Sequence, residues 1–589
     1  MRKMQEEIKR QWILWKRFAS DDPDLINELN KLEELEAGIK EREIIERFYK
    51  DLEFGTGGLR GIIGAGPNRM NIYTVARATR GYADFLKMAH REEDGQAIAV
   101  AIAYDSRIKS EKFANVAAAV LASAGLRVYL FRELAPTPLL SYVVPRLKCE
   151  GGIVITASHN PSQYNGYKVY GKDGGQITGK TAAAIFSKIG QHDFFEEDIL
   201  ASLNRQINKD MISYVPDKLI EQYLEDVSLE TFGGNINTDL KIVYSPLNGT
   251  GLKYVSKILE QKGFTHIHIV EEQKNPDGFF TTCPVPNPER REALELALRD
   301  AKELEAELVF ATDPDCDRLG VAVRQGKEFR LLTGNEIGVL LLDYICQRRK
   351  ELGLLPDNAV AFKTIVTTDL AARVASDFGV RMEEVLTGFK YIGEKIGQLE
   401  KAGQKECFIL GLEESYGYLS GTYVRDKDGV NAAALVSEMA GYYKSKGKGL
   451  ADVLEDIYNR YGVYLNVQYT LPFPGKDGAD DMKKCMESCR EHMTEFPSMG
   501  DIEMVRAEDY KISTSWLHNG ETEKLLLPSS NVVRLFWEDG SSISIRPSGT
   551  EPKLKMYVQA VGKTRVMAEG KECQLKDLVK GLMGIRGNF

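Results

Sequence analysis

Ala97-Ile-Ala-Val-Ala-Ile-Ala-Tyr104 runs into Phe113-Ala-Asn-Val-Ala-Ala-Ala-Val-Leu-Ala-Ser-Ala-Gly125 and then Arg127-Val-Tyr-Leu-Phe131. The outer stretches are apolar runs of strand length. The middle one is a small-residue helix that Gly125 closes as a C-cap. Strand, helix and strand in that order form a βαβ unit, and repeated units build sheets covered by helices. The pattern restarts at Leu240-Lys-Ile-Val-Tyr244, with a turn, a helix ending near Gly263, and His266-Ile-His-Ile-Val270. A third unit begins at Ala359-Val-Ala-Phe-Lys363, with a helix from Leu370 to Phe378 behind it. Beyond about 463 the strands stand alone: Val532-Val-Arg-Leu-Phe-Trp537, Ser542-Ile-Ser-Ile545 and Leu554-Lys-Met-Tyr-Val558. That spacing predicts an α+β domain with a largely antiparallel sheet. Ahead of the first unit, Ile8, Ile13, Leu14 and Phe18 recur at near-helical spacing, so residues 1 to about 50 read as helical.

The chain has 589 residues, too many for one hydrophobic core; at roughly 150 residues per domain it divides into about four. The restarts of the strand-helix pattern place the domains near 1–210 (N-terminal helices included), 211–335, 336–462 and 463–589. Hydrophobic residues make up 43% and charged residues 28%, an ordinary soluble balance. A net charge of -9 and a pI near 5.6 argue against a nucleic-acid-binding surface. An anionic small substrate stays compatible, because local Arg and Lys can reverse the field within one cleft. The charged start has no apolar run fit for a signal peptide, and no uncharged span is long enough for a membrane helix. The eight cysteines show no CxxC pairing and read as reduced structural thiols, so the cytoplasm is the expected location.

Three apolar strands run straight into polar turns: Gly152-Ile-Val-Ile-Thr-Ala-Ser158, Leu308-Val-Phe-Ala-Thr-Asp313 and Cys407-Phe-Ile-Leu-Gly-Leu-Glu413. In α/β sheets ligands bind beyond the carboxyl ends of strands, so function is expected at these turns. Asp313-Pro-Asp-Cys-Asp317-Arg318 places carboxylates at alternate positions. It is no EF-hand, since Arg318 stands at position six and Arg324 at position twelve. Three carboxylates leave coordination positions for phosphate oxygen or water, which suits Mg²⁺ better than a solvated acidic turn does.

The first turn continues as Thr156-Ala-Ser-His-Asn-Pro161 and on to Gly166-Tyr-Lys168. GxSxG is absent and no acyl-transfer triad is apparent. Ser158 beside a metal can instead accept and donate a phosphoryl group, with His159 and Lys168 available for the proton of a sugar hydroxyl. Glu413-Glu-Ser-Tyr-Gly417 offers a carboxylate and the Ser415 hydroxyl, a match for vicinal sugar hydroxyls; a helix N-cap would look similar. A fourth segment, Arg546-Pro-Ser-Gly-Thr550-Glu-Pro, combines a guanidinium, two hydroxyls and a flexible glycine after a strand. Exposed amides at such a turn form an anion nest and Arg adds a bidentate clamp, so phosphate binding without nucleotide is expected. The entry Gly55-Thr-Gly-Gly-Leu-Arg60-Gly is weaker by itself.

Taken together, these loops resemble the α-D-phosphohexomutase superfamily, in the family's order, from about Phe54 to Tyr557. Within it, Asp51-Leu-Glu-Phe-Gly-Thr-Gly-Gly and Asn71-Ile-Tyr-Thr-Val are most like the bacterial α-phosphoglucomutases. The resemblance implies an α/β fold of four domains around a central cleft, three similar domains with mixed sheets and a C-terminal α+β domain. It also implies a phosphorylated Ser158 and one Mg²⁺ per chain on Asp313, Asp315 and Asp317. Arg60, His159 and Lys168 match residues around the transferring group, and Arg318 stands where the family has Arg. Glu413 and Ser415 match sugar-hydroxyl readers, and Thr387-Gly388-Phe-Lys390 a loop for the sugar and its phosphate. Arg546, Ser548, Gly549 and Thr550 match the grip on the non-reacting phosphate. The implied reaction interconverts glucose 1-phosphate and glucose 6-phosphate through glucose 1,6-bisphosphate, by a monomer or homodimer. Phosphopentomutase and phosphomannomutase use the same architecture; a silent sugar-phosphate binder or a hydrolytic phosphatase are readings from other classes. Cys316 departs from the small residue usual in the metal loop.

Overall fold

The computed structural model describes residues 2–55, 57–90, 97–204, 209–473, 478–548 and 553–585. They fold as two compact units. The first contains the chain up to Leu331 with Gly393–Lys405 and Gly417–Tyr442; the second contains Leu332–Ile392, Glu406–Tyr416 and the chain from Tyr443.

In the first unit, helices Arg2–Phe18, Pro23–Glu34 and Ala37–Phe48 realise the N-terminal helical reading. Asp22 caps the second helix and Pro23 occupies its first turn, where a missing N–H costs nothing. Trp15 is fully buried and meets Tyr73 edge-on, ring centroids 5.6 Å apart, so these helices share the core of the first sheet. That sheet is seven-stranded and mixed, in the order Phe54–Gly55, Gly58–Ile62, Tyr164–Gly171, Gly151–Ile155, Ala99–Tyr104, Arg127–Leu130, Ile212–Tyr214. Ala99–Tyr104 pairs in parallel with both Arg127–Leu130 and Gly151–Ile155, which is the βαβ arrangement expected. The intervening helix, Ser110–Ser123, starts three residues before the apolar run, because Ser110 is held by Asp105 at the strand end.

The second sheet has five strands; Leu308–Thr312 pairs in parallel with Ile242–Ser245 and antiparallel with Leu319–Gln325. In the second unit, Val360–Thr364 pairs in parallel with Arg381–Val385 and Phe408–Glu413. The seven strands of the last sheet are antiparallel throughout, from Val463–Pro472 against Lys553–Gly562 to Thr514–Leu517 against Thr522–Lys524. Alternating Ile543, Ile545, Leu554, Met556 and Val558 point into a core shared with Met486, Cys489 and Leu575 of two covering helices. Among the described residues no helix is long and apolar enough to cross a membrane, and all eight cysteines are free.

Candidate active site

Ser158 closes the turn after Gly151–Ile155 in the left-handed region, φ 52°, a conformation that costs a β-carbon residue about 1 kcal/mol. Surrounding bonds hold it there. Its N–H donates to Thr156 Oγ1 at 2.8 Å, and that hydroxyl donates to Asp105 Oδ2 at 2.6 Å. Arg107, buried with Asp105, donates to the carbonyls of Ser158, Asn160, Pro161 and Tyr164. The Ser158 turn is thus clamped by one guanidinium through its carbonyls, which leaves the Ser158 hydroxyl to other partners.

The Asp313 turn is built equally tightly. Cys316, at φ 51° and fully buried, lets the chain curl, and its N–H donates to Asp313 O at 2.8 Å. Asp317 N and Arg318 N both donate to Asp313 Oδ1 at 3.1 Å. Gly249 permits the close approach of the neighbouring loop: a β-carbon there would lie 2.5 Å from Pro314 Cα. The Cys316 sulfur is buried and, with Tyr244 Oη and Thr312 Oγ1, borders Gly251.

These two turns, 155 residues apart in sequence, meet. Ser158 Oγ donates to Asp313 Oδ2 at 2.8 Å and lies 3.2 Å from His159 Nδ1. Lys168 Nζ donates to Asp315 Oδ2 at 2.8 Å and stands 3.6 Å from Asp317 Oδ2. Lys168 is opposite both Val154 and Gly58 in the ladder, and Arg60, two residues along, donates to Asn160 Oδ1 at 3.3 Å. Arg318 pairs with Glu289. Thr56 of the entry segment lies outside the described residues.

Carboxylate oxygens of Asp313, Asp315 and Asp317 lie within 4.8 Å of one another, all buried. Burial, reinforced by the Asp317 and Asp315 charges, pushes the Asp313 carboxyl well up. Burial opposes ionisation of Asp315 too, but the charge and hydrogen bond of Lys168 outweigh it and hold that carboxyl down. Asp315 Oδ1 and Asp317 Oδ1 are buried and accept no hydrogen bond. Buried carboxylate oxygens without donors are costly unless a cation takes them, so the set fits a hard divalent ion with open positions. Burial, with Arg318 and Arg60 nearby, keeps His159 neutral by holding its pKa well below the usual value. Burial would lower Lys168, but Asp315 and Asp317 outweigh it and raise it.

The other expected residues belong to the second unit. Glu413-Glu-Ser-Tyr is a tight turn, with Tyr416 at φ 65°, and not a helix N-terminus. Ser415 Oγ donates to Glu413 Oε1 at 3.1 Å, while Glu414 is anchored by Thr364 Oγ1 at 3.0 Å. Thr387 Oγ1 is buried without a hydrogen bond, Gly388 takes φ 116°, and the Lys390 ammonium lies 5.1 Å from the Tyr391 ring centre. Arg546 Nε reaches Tyr557 Oη at 3.5 Å; burial would lower its pKa, but Tyr557, Glu414 and Glu413 raise it. Ser548 N donates to Lys553 O at 2.7 Å, at the neck of the hairpin. Gly549 and Thr550 lie outside the described residues.

Comparison with known proteins settles the family. The description "Phosphoglucomutase/phosphomannomutase" matches as alpha/beta/alpha domain I over residues 51–196, domain II over 220–326, domain III over 333–461 and the C-terminal domain over 511–573. A phosphoglucomutase of Staphylococcus haemolyticus is 36% identical over 518 residues, 87% of this chain and 90% of that one. The chain belongs to the phosphoglucomutase/phosphomannomutase family of mutases. Its fold is shared by a family protein of Burkholderia thailandensis, TM-score 0.63 at 19% identity, covering 90% of this chain and 97% of that one. The open form of the Paramecium phosphoglucomutase parafusin gives 0.64 at 17%, covering 91% and 95%.

Two parts of this mutase's site escaped the sequence reading. Lys427 Nζ lies 3.0 Å from Asp317 Oδ2, brought there because Gly429 N donates to Cys316 O and Asp426 accepts from Tyr170 Oη. Its signal was a charged run, Arg425-Asp-Lys-Asp-Gly429, just before a helix. The Asp105–Arg107 clamp also follows an apolar strand, the same strand-to-polar-turn construction that marked the other loops.

Proposed function

We propose that this mutase interconverts glucose 1-phosphate and glucose 6-phosphate, with Ser158 as phosphate carrier and glucose 1,6-bisphosphate as intermediate. The observation that carries the reading is Ser158 Oγ at 2.8 Å from Asp313 Oδ2, beside three convergent buried carboxylates. Asp313, Asp315, Asp317 and Ser158 would hold one Mg²⁺, which when bound neutralises charge on the transferring oxygens. In the first transfer the sugar O6 bonds to phosphorus as the Ser158 Oγ–P bond breaks. His159, held neutral, would take the O6 proton, and the protonated Lys168 with Arg60 and Arg318 would balance charge around the transferring group. The bisphosphate then exchanges ends. Ser158 Oγ takes the phosphoryl group from O1, and a proton returns to O1, so each phosphate and each proton is accounted for.

Glu413 and Ser415 would read the sugar hydroxyls. Thr387, Gly388 and Lys390 would receive the sugar and its phosphate, and Arg546, Ser548, Gly549 and Thr550 the non-reacting phosphate. We take the Glu413-Glu-Ser-Tyr-Gly417 turn as the ground for choosing glucose over mannose or a pentose. We place the domain boundaries near 210, 335 and 462 and the enzyme in the cytoplasm, as a monomer or homodimer. Intact mass of the purified protein tests the carrier: a gain of about 80 Da mapping to Ser158 is expected. A coupled assay on glucose, mannose and ribose 1-phosphates tests the sugar. Preference for ribose would overturn the choice of sugar, and rapid release of free phosphate without isomerised sugar would overturn the mutase mechanism.

A further inference from the structure

The second unit contains two cations that this chemistry does not use, Lys363 and Arg534, each almost wholly buried. Lys363 Nζ donates to Glu384 Oε1 at 2.7 Å, to Asp369 Oδ1 at 2.8 Å and to Thr367 O at 3.0 Å. Arg534 grips the same Glu384 with both terminal nitrogens, at 2.9 Å to Oε2 and 3.3 Å to Oε1. Glu384 therefore joins a strand of the parallel sheet to a strand of the antiparallel one. Gln559 supports the joint by accepting from Asp369 N at 2.8 Å and donating to Asp369 Oδ2 at 3.0 Å.

A buried ion pair is seldom worth more to stability than apolar side chains of similar volume, so its position is the informative property. All the recognition segments of this unit start within a few residues of it. Thr364 and Thr367, flanking the lysine strand's end, hold Glu414 at 3.0 Å and 3.1 Å. Glu384 itself is three residues ahead of Thr387. Arg534 is paired with Ser544 on the strand that ends at Arg546 and Pro547.

We propose that Glu384 is a positioning residue: by bonding Lys363 and Arg534 at once it sets the spacing between the sugar-reading turns and the Arg546 phosphate loop. The inference rests on the recognition roles proposed above. A substrate that must be held by either phosphate needs the loops brought to one spacing each time it is gripped, because the same loop meets both ends. In Glu384→Gln the amide nitrogen turns donors toward the Arg534 guanidinium, which breaks the paired grip while keeping the side chain's volume.

The test uses the full-length enzyme and calorimetric titration with glucose 1-phosphate, which needs no turnover, beside steady-state kinetics. Glu384→Gln is expected to weaken binding and raise KM about tenfold, with kcat changed much less. Arg534→Lys keeps the charge but loses one of the two bonds, and is expected to fall between it and the wild type; it also serves if the first variant does not fold. Unchanged affinity and KM in these variants, with only a lower melting temperature, would overturn the inference. Failure of the wild type to turn over glucose 1-phosphate would instead overturn the mutase reading, and failure of the wild type to bind it would overturn both.

Discussion

The Ser158 and Asp313 turns and the Glu413 and Arg546 turns are built in opposite ways. In the first pair, charged side chains are spent on the backbone: Arg107 takes four carbonyls and Asp313 takes two amides. Reactive atoms are left aimed and partly unpartnered. In the second pair, the ions lie underneath, in the Lys363–Glu384–Arg534 joint, and the groups expected to touch sugar make lighter contacts such as Ser415 to Glu413 and Arg546 to Tyr557. Chemistry at a single oxygen rewards a fixed reacting geometry. Recognition of a molecule in either orientation rewards a supporting frame beneath groups that remain free to bond the ligand.

That contrast can be broken by mutation, first where the effect is greatest. Ser158→Ala should lower turnover by about 10⁴-fold or more, with phosphosugar binding nearly intact by calorimetry. Asp315→Asn should lower it by about a thousandfold and abolish Mg²⁺ binding, and chelation of the wild type should silence it until Mg²⁺ is restored. Arg107→Gln tests the clamp: it leaves Asp105 buried without its cation, so stability should fall by about 3 kcal/mol in denaturant titration. Its kcat should fall about a hundredfold at little change in KM, because a misplaced nucleophile affects chemistry more than binding. Ser415→Ala, in the other half, should do the reverse, raising KM about tenfold and sparing kcat; equal losses in kcat would erase the distinction.

Acid titration sharpens the comparison with the smallest expected signal. Burial would raise Glu384, but Arg534 and Lys363 outweigh it and hold its carboxyl far below the ordinary 4.5. The folded state therefore binds this proton more weakly than the unfolded state does. Its contribution to stability is fully present above about pH 4.5 and is lost as pH falls toward the folded value. Melting temperature against pH should thus decline less steeply in Glu384→Gln than in the wild type below that pH. A parallel decline would show that Glu384 is not bonded as described.

Most elements were legible along the chain because period and punctuation are local. The run from Ala97 to Phe131 predicted strand, helix and strand, and alternate apolar residues from Val532 to Val558 predicted an antiparallel sheet. The turns after Ile155 and Thr312 stood out because an apolar strand cannot itself carry polar chemistry, so reactive groups collect where it ends. Lys427 was invisible for the opposite reason. A lysine in a charged run reads as solvated, and the tertiary hydrogen bonds Gly429–Cys316 and Tyr170–Asp426 bring it beside Asp317. Glu414, between the two residues read as sugar contacts, is turned instead onto Thr364 and Thr367.

Sequence alone determined the residue types, the strand-to-turn construction and the family they resemble, since each depends on neighbours within a few positions. Tertiary structure decided which of those turns meet. Ser158 and Asp313 are 155 residues apart, and Thr137 and Asp315 178, yet the first pair is joined by a side-chain hydrogen bond and the second by a side-chain and a backbone one. Such contacts arise when the turn after a strand of one sheet packs against residues that cover another, and no local pattern encodes that distance. Arg107 shows the same limit: its charge is plain in the chain, but the four carbonyls that absorb it converge only after the turn has folded.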